Sequence, residues 1–177
     1  MKIVKKILFV IAGIIVLALI VALFVSKEYT VKREITINKP SQQVFEYVRL
    51  IKNQAHYNKW VMMDPNMKKD YKGTDGTIGF VYAWDSKDDG VGKGEEEIKQ
   101  IEDGKKVDLE IRFIKPFEGL AHTEMTTEAV SPTQTKVAWG MTGESKYPMN
   151  FMNIFIDGIL GKDLDESLNN LKGVLEK

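Results

Sequence analysis

A histidine and a carboxylate two residues apart form the most obvious acid–base pair in this sequence. His122 and Glu124 lie in an extended, alternating segment, so both side chains share one face of a predicted strand. The other face is less polar, and its burial would leave His122 and Glu124 in solvent. That other face carries Ala121, Met125 and Ala129.

The second histidine gives an alternative acid–base site. His56 precedes Trp60 by four residues on a predicted short helix, where it would lie at the rim of a pocket or be an ordinary, partly exposed side chain. An enzyme of cyclase, dehydratase or hydrolase type would need His122 or His56 to converge with Glu124, Tyr82 or Glu110 inside a cavity.

The sequence gives little support for a metal site or a phosphate-binding site. The chain has no cysteine and only two histidines, which excludes thiolate zinc sites, iron–sulfur clusters and cysteine nucleophiles. The segment from Asp85 to Glu96 has the length of a calcium loop, but Lys87 puts a cation where an oxygen ligand is needed. We therefore predict no metal and no cofactor.

Aromatic and other apolar side chains are stronger candidates for a binding site. They recur with strand or helix periodicity, which is typical of core packing but equally suits the lining of a cavity. Tyr82 and Trp84 on one strand, and Trp139 on another, add a polar group that would orient a ligand. The predicted ligand-binding set is Trp60, Phe80, Tyr82, Trp84, Ile111, Phe113, Trp139, Met141, Phe151 and Phe155.

The elements that must position these residues follow from the periodicity. A strand over residues 29–37 is followed by two short helical stretches, over about 41–48 and 51–60. Six further strands, joined by short turns that favour antiparallel pairing, then lead to C-terminal helical stripes on either side of Gly161. The predicted strands span roughly 68–71, 77–84, 92–101, 105–114, 120–130 and 135–143.

This order, β-α-α-β6-α, predicts an α+β fold. A curved, antiparallel, seven-stranded sheet would bury one apolar face under a long C-terminal helix. Because a sheet that wraps around a helix contacts it imperfectly, we expect a cavity between them.

The N-terminal region has a different character. Residues Ile7 to Val25 contain no polar side chain, and a helix of that length spans close to the thickness of a bilayer's hydrocarbon core. A cleaved signal peptide is the alternative, but no small-residue cleavage site closes the run. We expect residues 1–26 to be a basic tail with a single-pass anchor in the cell membrane and residues 27–177 to be one domain outside the cytoplasm.

The charge of the predicted domain limits its partners. Residues 27–177 hold 22 Lys and Arg against 25 Asp and Glu. A slightly acidic domain lacks the basic face of a nucleic-acid-binding protein. We expect no nucleic-acid partner, and the sequence does not determine the oligomeric state.

Many short motifs, in order, resemble one superfamily. They begin with Glu34–Ile37, Pro40 and Val44–Phe45, continue through Trp60, Asp64–Pro65, Asp75–Gly76 and Trp84, and end with Trp139, Gly161 and Leu168–Lys172. Over residues 30–176 the chain resembles the SRPBCC superfamily, the helix-grip fold of START lipid-transfer domains, plant pollen-allergen proteins and bacterial polyketide cyclase/dehydrase-like proteins. The resemblance implies a deep apolar pocket for a lipid or other hydrophobic molecule, and it implies no single reaction.

Three functions remain open from the sequence. The leading hypothesis is a membrane-anchored domain that binds a hydrophobic small molecule or lipid without catalysis. The second is a cyclase, dehydratase or hydrolase-like enzyme that uses the same cavity. The third is an envelope protein whose outer sheet face binds a protein partner.

Overall fold

The computed structural model describes residues 2–177 and confirms the predicted element order. After the N-terminal helix come one strand, three short helical segments, six strands and a final helix. The helices are α1 (Lys2–Ala22), α2 (Ser41–Val48), a 3₁₀ helix (Ile51–His56), α3 (Lys59–Met63), a second 3₁₀ helix (Met149–Met152) and α4 (Asn153–Leu175). The strands are β1 (Glu28–Ile37), β2 (Lys68–Lys72), β3 (Val81–Asp85), β4 (Lys93–Glu102), β5 (Lys106–Lys115), β6 (Gly119–Ser131) and β7 (Gln134–Glu144).

The seven strands form one antiparallel sheet. The strand order is β1-β7-β6-β5-β4-β3-β2, so six consecutive strands form a meander and β1 pairs with β7. Short turns allow this arrangement, because antiparallel neighbours need no crossover. The α+β prediction with a seven-stranded antiparallel sheet is confirmed.

The alternation of side chains decides which face of the sheet is buried. On β1, Val31 and Ile37 are buried, while Lys32, Glu34 and Thr36 are exposed on the other face. On the inner face these side chains meet α4, whose buried stripe completes the main core. That stripe consists of Leu160, Leu164, Leu168, Leu171 and Leu175.

The final helix is continuous, which corrects the prediction of two helical stripes separated by Gly161. Gly161 lies inside α4, and a Cβ at this position would collide with the guanidinium of Arg33. Arg33 reaches across from β1 and pairs with Asp157 at 2.9 Å and Asp165 at 3.2 Å. The glycine therefore provides room for a side chain of the sheet and does not end the helix.

Asp163 and Glu166 of α4 form a second set of ion pairs. Their carboxylates bind Lys59 Nζ at 2.7 and 2.9 Å, which ties α3 to α4.

Two other element boundaries differ from the prediction. The stretch 51–60 divides into a 3₁₀ helix and α3 at Asn58, whose side chain accepts a hydrogen bond from Trp60 N. β3 begins at Val81 and not at residue 77, because residues 77–80 form a turn in which Phe80 N donates to Thr77 O.

The apolar N-terminal segment is a helix that the rest of the chain leaves uncovered. α1 begins at Lys2 and ends at Ala22, so the predicted stretch Ile7–Val25 overruns the helix by three residues. Residues 3–22 are long and apolar enough to cross a membrane, a property that signal sequences share. Asn150 Nδ2 donates to the carbonyls of Ala22 and Val25, at 2.6 and 2.8 Å, and so holds the end of α1 against the second 3₁₀ helix.

Truncation of the α4 stripe should destabilise the fold. Leu168 is 1% exposed, so we expect Leu168→Ala to lower the free energy of unfolding by about 2–5 kcal/mol. Thermal or chemical unfolding of the full chain in detergent measures the effect. Lys162→Ala, at an exposed position of the same helix, is the control and should change stability by less than about 0.5 kcal/mol. Equal effects of the two substitutions would contradict the packing of α4 on the sheet.

Candidate functional site

A cavity of about 330 Å³ lies between the sheet and the first half of α4. This volume falls within the range of small-molecule sites. α4 contributes Ile156, Ile159, Leu160 and Asp163 to its wall, whereas the second half of the helix is packed into the core. The turns that precede β4 and follow β5 also border the cavity, through residues 89–91 and 115–116.

The strand register explains why distant residues meet in this cavity. Residues directly opposite one another in a sheet point to the same face, so one row of register partners forms a continuous strip of the inner wall. That row crosses six strands through Tyr29, Gly143, Ala121, Ile111, Glu96 and Tyr82. Small residues at 143 and 121 leave space beside larger ones, and a Cβ at Gly143 would collide with the Tyr29 ring.

The structure places seven of the ten predicted ligand-binding side chains at the cavity: Trp60, Tyr82, Trp84, Ile111, Phe113, Trp139 and Met141. The other three lie elsewhere. Phe80 is buried in the neighbouring cluster with Phe45 and Ile98. Phe151 and Phe155 contact each other edge to face with ring centroids 5.9 Å apart, and Phe155 is half exposed. In their place, Ile156 and Ile159 of α4 line the cavity.

Two of the three polar aromatic groups are already engaged within the protein. Trp139 Nε1 donates to Thr123 Oγ1 at 2.8 Å, and Trp84 Nε1 donates to the Val91 carbonyl at 3.2 Å. These hydrogen bonds hold the two indole rings in place as part of the cavity wall. The Tyr82 hydroxyl is buried and has no hydrogen-bond partner within the described chain. Of the three, Tyr82 is therefore the group that remains available to a ligand.

A buried carboxylic acid lies beside that hydroxyl. Glu96 is 6% exposed, lines the cavity and is the register partner of Tyr82. Burial raises the pKa of Glu96 from its ordinary value of 4.5 to about 7, and the negative charge of Asp75 adds to the rise. Among residues 2–177 no group hydrogen-bonds its Oε1 atom, and an unpartnered buried oxygen costs about 1–3 kcal/mol.

The side-chain amides of Asn58 and Gln54 determine which group faces the Glu96 carboxyl on its other side. Asn58 Oδ1 accepts from Trp60 N at 3.0 Å, so its amide nitrogen is the group that donates to Gln54 Oε1, at 2.7 Å. Gln54 must then present its own NH₂ group to its surroundings. Hydrogen bonding from Gln54 to Glu96 favours the ionised carboxylate and opposes part of the rise in its pKa.

The histidines lie away from the cavity. His122 and Glu124 point to the outer face of the sheet, next to a separate, polar depression that includes Thr30, Lys32 and Asp108. His56 is exposed, and its Nδ1 is 2.9 Å from the Tyr47 hydroxyl. Glu110, the other proposed acid–base partner, binds Arg112 on the outer face. The predicted catalytic convergence of these groups is thus not formed.

Glu96 is a cavity residue that the sequence does not predict as part of the site. In the sequence it stands at the last position of the segment that has the length of a calcium loop. The signal was the alternation of β4, in which Gly94 and Ile98 are inner-face positions and Glu96 lies between them. The flanking Glu95 and Glu97 concealed it, because three consecutive glutamates indicate a solvated segment.

Comparison with known proteins agrees with this geometry. The family model described as polyketide cyclase/dehydrase and lipid transport matches residues 28–176. The chain belongs to this polyketide cyclase/dehydrase family. No curated protein matches the sequence. Membership of the family and the helix-grip fold together indicate a domain for a hydrophobic ligand, as the sequence motifs implied.

Solved structures of the same fold are distant in sequence. A protein from Chromobacterium violaceum is 12% identical with a TM-score of 0.60, over 84% of this chain and 97% of that one. Norcoclaurine synthase from Thalictrum flavum is 11% identical with a TM-score of 0.62, over 85% and 95%. Ara h 8.0201 is 15% identical with a TM-score of 0.57, over 84% and 97%. At these identities the likeness establishes the fold of the family member described here and nothing about its reaction.

The buried carboxyl should make stability depend on pH in a specific direction. Glu96 keeps its proton in the folded protein up to about pH 7 but loses it near 4.5 when unfolded, so the folded state binds more protons between these values. Stability should therefore fall as pH rises from about 4.5 to 7, by up to about 3 kcal/mol from this group. Glu96→Gln should remove that fall.

Thermal unfolding of the full chain at pH 5 and pH 8, followed by near-ultraviolet circular dichroism, measures this difference. The difference in stability between the Glu96→Gln variant and the unsubstituted protein should be more favourable to the variant at pH 8 than at pH 5. An unchanged pH dependence would mean that the carboxylate is stabilised in its buried position.

Proposed function

We propose that this chain is a membrane-anchored domain that holds a lipid or other hydrophobic small molecule, without catalysing a reaction. The observation that carries the proposal is the cavity beneath α4, whose wall is mainly apolar and aromatic. In this proposal residues 1–26 form the tail and single-pass anchor, and residues 27–177 form the binding domain, outside the cytoplasm.

The position of the cavity relative to α1 supports a connection with the membrane. β1 starts only six residues after α1 ends, so the end of the sheet that contains Glu28 is the end nearest to α1. The register brings the end of β7, the β5–β6 turn and the β3–β4 turn to that same end: Glu28 pairs with Glu144, Ala121 with Gly143, Phe113 with Gly119 and Lys93 with Asp85. Two of these turns border the cavity.

Exposed apolar side chains concentrate at this end of the domain. Those on the β5–β6 turn, the start of β6, the second 3₁₀ helix and the first half of α4 include Phe117 at 70% exposure, together with Leu120, Met149, Met152, Phe155 and Ile159. An apolar rim around a cavity mouth, next to a helix of membrane-spanning length, suits a surface that lies in the lipid interface. A ligand would then pass between bilayer and cavity without crossing water.

The enzyme alternative loses its original basis. It required His122 or His56 inside the cavity, and both lie on the solvent side of the domain. The outer-face docking alternative has no observation that selects a partner.

Filling the cavity should abolish ligand retention. Ile156 lines the cavity, whereas Ile154 of the same helix is half exposed and lies outside it. We expect native mass spectrometry of the full chain, released from membranes in mild detergent, to find a co-purified hydrophobic molecule. Ile156→Trp should reduce the bound fraction at least about tenfold, because an indole fills much of the space.

The matched control is Ile154→Trp, which adds the same side chain outside the cavity and should retain the ligand. If unsubstituted protein carries no molecule and takes up no lipophilic probe after delipidation, the proposed function is wrong.

The orientation of the rim towards lipid can be measured with single cysteines, since the chain has none of its own. We expect an environment-sensitive fluorophore on Phe117→Cys or Met152→Cys to be quenched by spin-labelled lipids in nanodiscs that hold the full chain. Val130→Cys and Ile78→Cys, exposed positions at the opposite end of the sheet, are the controls and should not be quenched. Equal quenching at both ends would contradict the proposed orientation.

A further inference from the structure

Among the described residues, two buried oxygens of the cavity have no hydrogen-bond partner. Their side chains differ greatly in the free energy that burial costs. A phenol can lose its hydrogen bond at modest cost, but a carboxyl group is among the groups that proteins rarely bury without a partner. Glu96 Oε1 and the Tyr82 hydroxyl are both buried and unpaired within residues 2–177. They stand on adjacent strands as register partners, so they face the same cavity side by side.

The charge that shifts the pKa of Glu96 is that of Asp75, which is itself an acid. Lys59 of α3 is engaged by Asp163 and Glu166, and Lys115, the basic residue that lines the cavity, lies at its border at the end of β5. The elements packed around Glu96 contribute other titratable groups that are neutral phenols or acids: Tyr82 from β3, Tyr57 after the first 3₁₀ helix, Asp75 after β2, and Asp163 from α4. Gln54 occupies one side of the carboxyl, which leaves Oε1 as an open acceptor.

Burial and the neighbouring Glu96 charge also raise the pKa of Tyr82, so its hydroxyl stays protonated and can donate or accept. One wall of an otherwise apolar cavity therefore offers an acceptor and a hydroxyl a short distance apart. An alkyl chain or ring alone would leave both unsatisfied.

We infer that Glu96 and Tyr82 form a polar anchor and that the natural ligand is an apolar molecule with a hydrogen-bond donor, a hydroxyl or a protonated amine, at its buried end. This inference rests on the proposed ligand-binding function and narrows it. Donation from the ligand to Oε1 completes the hydrogen bonding of Glu96, while the apolar remainder lies against Trp139 and the α4 residues. Free carboxylates are selected against, because they would face a second acid.

The ligand class can be tested with two isomers. Decanol and methyl nonyl ether have the same atoms, but only decanol donates a hydrogen bond. Binding to the full chain in one non-ionic detergent is followed by the fluorescence of the cavity tryptophans, and each affinity is corrected for the partition of that ligand into protein-free micelles. We expect decanol to bind about tenfold more tightly than the ether. Tyr82→Phe, which keeps the ring, should weaken decanol binding, because the decanol oxygen accepts a hydrogen bond from the Tyr82 hydroxyl while its own hydroxyl donates to Glu96 Oε1.

The carboxyl is tested with decylamine, which is cationic throughout the range used. Its affinity should rise about tenfold between pH 6 and pH 8, because Glu96 ionises in this interval. Glu96→Gln should make decylamine binding independent of pH while ether binding persists, which shows that the cavity is intact. Decanoate should bind more weakly than decylamine at pH 8 and should gain affinity in Glu96→Gln.

The outcomes separate the two proposals. If neither decanol nor the ether binds, the ligand-binding function itself fails. If the isomers bind equally, or decylamine responds to pH identically in Glu96→Gln, the cavity binds apolar molecules but water alone satisfies Glu96, and the anchor is overturned. A pH response confined to decylamine selects an amine, and a preference for decanol at both pH values selects a hydroxyl.

Discussion

The site depends on the mismatch between a straight helix and a curved sheet. Over its second half α4 lies close to the inner face, and Leu164, Leu168 and Leu171 are fully packed. Over its first half the cavity separates part of the helix from the sheet. Close packing of side chains cannot be maintained along the whole contact, because a rigid helix does not follow the coil of a seven-stranded sheet. The hollow follows from this geometry and needs no special residue to create it.

Ion pairs hold α4 along the part of the helix that borders the cavity. Arg33 of β1 crosses the helix at Gly161 and pairs with Asp157 and Asp165, and Lys59 joins α3 to Asp163. These pairs are partly exposed and individually contribute little to stability. Their effect is on position, since they fix the helix at a set height above the sheet. A polar wall position such as Glu96 remains compatible with the fold because the space beside it stays open.

The packed core and the cavity mouth lie at different ends of the domain. The far end holds the packed core, whereas the end next to α1 holds the cavity mouth and the exposed apolar rim. Asn150 and Asn153 join this end to the N-terminal segment through the carbonyls of Ala22, Val25, Ser26 and Lys27. The short connection leaves the domain little freedom to turn away from the axis of α1.

Much of the fold was predictable because it depends on local periodicity. Alternation along β1 and β5 indicates strands and their buried faces, and the short turns favour antiparallel neighbours. Gly161 led to a wrong prediction of a helix boundary, because a glycine inside a helical pattern resembles a helix end unless the side chain that crosses it is known. Arg33 is 128 positions earlier in the chain, beyond the reach of any local pattern.

The sequence by itself determined the element order, the apolar N-terminal segment and most of the aromatic wall, since periodicity and composition are properties of neighbouring residues. Only the tertiary structure decided which polar groups meet. It brought Glu96 beside Tyr82, because the contacts of a residue depend on the register of its strand with its neighbours. The chemistry of the cavity is thus a consequence of register, which pairs residues that are remote in the chain.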